Sequence, residues 1–166
     1  MAGENAFQGY WRVFGGIWQI ARSTYFWLAA ILTATLPKLW LTAEQGGEPV
    51  WVSVTLDIVP SLLGFALGGM AIMLAFSSGK FLEAIRQRGK DNSYLRKIMA
   101  SFFHFSVVLT VALVIAYVSK FYGNRYLSFV GVFFSLYGVL LILATASRIW
   151  HTARIFNAVT ENDKPA

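Results

Sequence analysis

Polar residues along this chain are set aside at the ends of four long apolar runs, which cover roughly 23–41, 56–76, 98–118 and 126–147. The first three runs end at a charge or a helix breaker, and the last passes into an amphipathic tail. Each approaches or exceeds the ~20 residues that carry an α-helix across a ~30 Å hydrocarbon core. The pattern predicts an all-α integral membrane protein with four transmembrane helices. The connecting segments are too short to bury a core of their own, so 1–166 reads as a single membrane domain.

Ahead of the first run, Phe7, Trp11, Phe14 and Trp18 recur at spacings of four, three and four, with Tyr10 and Ile17 on the flanks. The spacing predicts an amphipathic helix over 1–22 resting in the membrane interface, weakened by Gly9, Gly15 and Gly16. The same aromatics also serve simply as anchors for the bundle. Nothing in 1–22 reads as a cleavable secretory signal, so the first run is expected to direct insertion. Pro37 ends or bends the first span. Between Val50 and Asp57 the pattern changes: Val50, Val52, Val54 and Leu56 alternate with Trp51, Ser53, Thr55 and Asp57. Period two predicts an extended piece, with the second helix starting near Ile58, capped by Asp57 and carrying Pro60 in its first turn.

Composition agrees: 57% of the residues are hydrophobic and 13% charged, against about 25% charged in a soluble domain. The net charge of +6 matters through its distribution, which sets topology rather than pointing to nucleic acid. Arg12, Arg22, Lys80, Arg86, Arg88, Lys90, Arg96, Lys97, Arg148, Arg154 and Lys164 fall on one side, and only Lys38, Lys120 and Arg125 on the other. By the positive-inside rule both termini and the basic loop 77–97 are cytoplasmic. The loop cations Lys80, Arg86, Arg88, Lys90, Arg96 and Lys97 are expected to meet anionic lipid or a cytosolic protein. Past the fourth span, 148–166 forms a cytoplasmic tail in which the helix runs on through Trp150, Ile155, Phe156 and Val159. Asn92 or Ser93 is the expected cap of the third helix.

The most specific pattern is a stripe of small residues in the second span, Ser61, Gly64, Gly68, Ala71 and Ala75, repeated in the fourth as Ser128, Gly131, Ser135 and Gly138. In lipid, small residues let two helix backbones approach closely. One stripe suits packing within the bundle and the other a homo-oligomer. Two titratable groups stand out as a polar site. An intramembrane carboxylate is costly, so Asp57 reads as a helix cap, a proton or cation site, or an outward ligand contact. His104 reads as a packing residue or a proton relay. Helix rise puts the two more than ~10 Å apart in depth, which excludes a direct acid–base pair. Cysteine is absent, only His104 and His151 are histidine, and no phosphate loop or metal motif occurs. These features predict no enzyme, no cofactor and no metal.

The segment Pro60, Ser61, Leu62, Leu63, Gly64, Phe65, Ala66, Leu67, Gly68, Gly69, Met70, Ala71, Ile72 resembles one in small bacterial four-span membrane proteins, some of which accompany anti-phage defence genes. The membrane component of the Kiwa system has an architecture of that kind. The resemblance covers about one span and implies a sensor or adaptor role in a bacterial inner membrane. The expected function is therefore a non-enzymatic, homo-oligomeric membrane sensor or scaffold for a cytosolic partner. The alternative is a small ion channel or cation-coupled transporter, for which Thr33, Thr35, Asp57, Ser61, His104 and Thr110 are the polar candidates.

Overall fold

A computed structural model describes residues 5–44, 47–75, 85–87 and 93–161. The helices are α1 (Ala6–Phe14), α2 (Gly16–Ala21), α3 (Thr24–Thr35), α4 (Lys38–Leu41), α5 (Val50–Ala75), α6 (Tyr94–Phe121) and α7 (Arg125–Glu161). Three of them are long and apolar enough to cross a membrane: Val50–Ala75, Tyr94–Phe121 and Arg125–His151. The basic-loop residues Lys80, Arg88 and Lys90 and the tail residues 162–166 lie outside the described residues.

The first predicted span is two helices rather than one. At ~1.5 Å per residue, the 12 residues of α3 reach ~18 Å, short of the ~30 Å core. Pro37 causes the break, because it has no N–H to give to the Thr33 carbonyl. The indole N–H of Trp40 donates to that carbonyl instead, at 3.0 Å, and α4 turns aside so that Trp40 meets Phe129 edge-on.

The expectation of an extended segment at Val50–Asp57 is overturned: α5 is already helical from Val50. Its buried residues are Trp51, Val52, Thr55, Val59 and Ala66, a helical and not an alternating spacing. In an apolar medium a lone strand leaves its backbone unpaired, whereas a helix satisfies it internally, and this outweighs the β-branched alternation. Asp57 is consequently not an N-cap. It sits two turns inside α5, on the exposed side, and Pro60 lies within the helix rather than in its first turn.

α6 is the central element, packed on α5 along one side and α7 along the other, while α3 lies mainly on α7 and α1 on α6. Phe102, Phe105, Leu109, Ile98, Val59, Ala66 and Tyr137 form the main core. A second cluster at the far end joins Trp51, Val52, Ala116 and Val132. Ser93 caps α6, its hydroxyl accepting from the Arg96 backbone N–H. As expected, the helix of the fourth span runs on past 147, α7 continuing unbroken to Glu161.

The two small-residue stripes have different fates. That of α7 faces inward: a Cβ on Gly131 would lie 2.1 Å from the Trp51 ring, and one on Gly138 2.6 Å from Leu109. Ser128 is buried, and Ser135 Oγ meets Thr55 Oγ1 at 2.9 Å. In α5, a Cβ on Gly64 or Gly68 would meet nothing within 4 Å, and Ser61, Ala71 and Ala75 are exposed. The glycine through which α5 approaches α6 is Gly69, whose absent Cβ makes room for the Phe102 ring.

Candidate functional site

The N-terminal segment does not form one helix along 1–22. Gly15 takes a left-handed φ of 97° and Gly16 one of 65°, conformations that glycine adopts at little cost, and the chain is thereby divided into α1 and α2. The division changes which aromatics pack. Trp18 is left 77% exposed and Trp11 38%, whereas Tyr10, placed on the flank by its spacing, is buried against α6. The side chain of Phe7 lies outside the described residues.

Tyr10 brings the segment to His104. Its hydroxyl lies 2.7 Å from Nδ1, and Nε2 lies 3.0 Å from the hydroxyl of Tyr137 on α7. Phe14 stacks on the imidazole at 4.2 Å, Tyr10 lies 4.8 Å from Phe103, and Phe26 of α3 meets Tyr137 edge-on. His104 is thus both a packed core residue and the midpoint of a hydrogen-bonded row joining α1, α6 and α7. A neutral imidazole donates through one nitrogen and accepts through the other, so one tyrosine gives a proton to the ring and the other receives one. Both ring nitrogens are satisfied if Tyr10 donates to Nδ1 and Nε2–H donates to Tyr137. Burial pushes the Tyr10 phenol up to about 12, which keeps it protonated and available as a donor.

Two cavities open from this row. One, of about 330 Å³, is polar and holds Arg22 and Arg148. The other, of about 360 Å³, is almost wholly apolar and runs beneath α1 and α2. His104 and Tyr137 line both.

The remaining predicted residues do not join this site. Thr33 donates to the Ala29 carbonyl, Thr35 to Ile31 and Thr110 to Ser106. Asp57, Ser61 and Thr110 are exposed on the outside of the bundle, so these groups do not converge on a conduit within one chain. Arg86, Arg96 and Lys97 are exposed, and the Lys97 carbonyl accepts from Arg148 at 3.3 Å. Among the described residues no three of His, Cys, Asp and Glu come together as a metal site. Sequence spacing missed Tyr10 and Tyr137 as partners of His104, because Tyr10 is 94 positions away and only the docking of α1 joins them. The chain matches no family model, no curated protein and no solved structure.

Proposed function

We propose that the chain is a non-enzymatic, multi-pass protein of a bacterial inner membrane that self-associates and serves as a sensor or scaffold for a cytosolic partner. α3 and α4 together complete a fourth crossing, both termini are cytoplasmic, and Arg86, Arg96 and Lys97 belong to the face offered to anionic lipid and to the partner. The observation that carries the reading is the outward side of α5. Asp57, Ser61, Gly64, Gly68, Ala71 and Ala75 follow one another at spacings of four, three, four, three and four, on a face the bundle leaves open. A carboxylate facing lipid within a span costs about 2.5–3.5 kcal/mol or more. Against a second copy, by contrast, the stripe offers close backbone contact and Asp57 a polar setting. The resemblance of 60–72 to membrane proteins found with anti-phage genes favours a role in defence.

Because the chain has no cysteine, a single Gly68→Cys gives a unique cross-linking site. In native membranes it should form disulfide-linked dimers, whereas Leu143→Cys, exposed on α7, should not. Monomers at positions 64, 68 and 71 alike would remove the basis for self-association. Recovery of a stoichiometric cytosolic protein from native membranes tests the scaffold role.

A further inference from the structure

The two cavities share His104 and Tyr137 in their walls and differ in chemistry. In the first, Arg22 at the end of α2 and Arg148 on α7 share the lining with Ser101, Thr145 and Ser147, and none of the described residues that line it is a carboxylate. Arg148 is positioned by the Lys97 carbonyl. Two guanidiniums from different helices, with hydroxyls in the same lining, form a setting that favours phosphate, since arginine meets its oxygens through paired, charge-assisted hydrogen bonds. The apolar cavity is walled by Ile17, Ile20, Val107, Val111, Phe133 and Phe134, which offer a ligand nothing but hydrocarbon and ring surface. Each space falls within the size range of small-molecule sites. Basic pockets between membrane helices near the interface are suited to lipid headgroups, and an amphipathic segment such as α1–α2 sits at that depth.

We propose that the two neighbouring cavities together bind an anionic phospholipid, its phosphate between Arg22 and Arg148 and one acyl chain in the crevice beneath α1 and α2. A free phosphate shares the headgroup chemistry, but only a lipid uses the crevice. The inference stands apart from self-association through α5.

Native mass spectrometry of the full chain, titrated with phosphatidylglycerol or phosphatidylcholine, tests it, with circular dichroism to check each variant's fold. Phosphatidylglycerol should bind about tenfold more tightly than phosphatidylcholine, and Arg22→Gln with Arg148→Gln should abolish that preference. Val111→Trp, which fills the crevice, should weaken phosphatidylglycerol about tenfold while leaving the headgroup preference intact. If Arg148→Gln disturbs folding by releasing the Lys97 carbonyl, Arg22→Gln alone carries the headgroup arm. Equal affinity for the two lipids overturns the proposal, as does unchanged binding in Arg22→Gln or in Val111→Trp. Displacement of phosphatidylglycerol by inorganic phosphate, with Val111→Trp silent, would identify a free-anion site and overturn the lipid assignment.

Discussion

Gly131→Ala should be among the most damaging single-methyl changes in the chain, and its cost follows from the geometry. The added Cβ would lie 2.1 Å from Trp51 Cη2, 2.6 Å from Cζ3 and 2.8 Å from Cζ2, where carbon atoms prefer ~3.5–4.0 Å. Trp51 is 6% exposed and lies among Val52, Ala116 and Val132, so neither the ring nor α7 can yield without moving the other. Overpacking of this kind costs about 1–3 kcal/mol, and a rigid ring places it at the top of that range. The intrinsic helical advantage of alanine over glycine, about 0.5–1 kcal/mol, offsets part, leaving a net loss of about 2 kcal/mol. Gly64→Ala meets no atom within 4 Å and should retain the whole alanine gain, so the two variants should differ by about 3 kcal/mol. Equilibrium unfolding in mixed micelles, followed by circular dichroism at a dilution where the chain is monomeric, measures both. Trp51→Phe removes the clashing ring atoms and should rescue Gly131→Ala in a double-mutant cycle. Wild-type stability for Gly131→Ala, or no rescue, would refute the α5–α7 packing.

Tyr10→Phe leaves His104 Nδ1 without its buried partner and should cost about 1–3 kcal/mol, read as faster hydrogen exchange across α1, whereas Tyr122→Phe on the surface should change nothing. The Tyr10 phenol is raised from 10.0 to about 12 by burial and secondarily by Tyr137, so folding favours its protonated form. Its contribution is therefore whole below pH 10 and is lost as pH rises through 12. An alkaline titration of tyrosinate absorbance against α1 exchange tests this sign, and detachment beginning below pH 9 would contradict it. Asp57→Ala, no longer the removal of a helix cap, should alter monomer stability by less than about 0.5 kcal/mol; a loss near the ~1 kcal/mol of a cap deletion would restore the capping role.

Apolar length alone made α5, α6 and α7 legible, since a membrane helix is declared by continuity rather than period. It misplaced the start of α5, because in lipid both sides of a helix tolerate valine and tryptophan, and alternation then carries no information about the backbone. Pro37 and Gly15–Gly16 marked real breaks, and each did so through a local property of the residue itself. Small residues marked helices that approach closely but not which partner they approach: the α7 stripe accepts Trp51 and Leu109, while in α5 it is Gly69, next to Gly68 but off the stripe, that accepts Phe102. His104 was visible as an isolated polar residue. Its tyrosine partners were not, because their positions depend on how α1 docks, which no local pattern encodes.

α7 is one helix of 37 residues, about 55 Å long, against a hydrocarbon core of ~30 Å. Its interior holds no proline, so it forms a stiff rod whose inclination is set by its packing against α6 and α3. The 14 residues from Arg148 to Glu161 extend it by ~21 Å. A change of about 10° in inclination would then sweep the tip sideways by roughly 4 Å. Any tilt of the span would thus be carried to the far end by the helix itself, without any hinge in the chain.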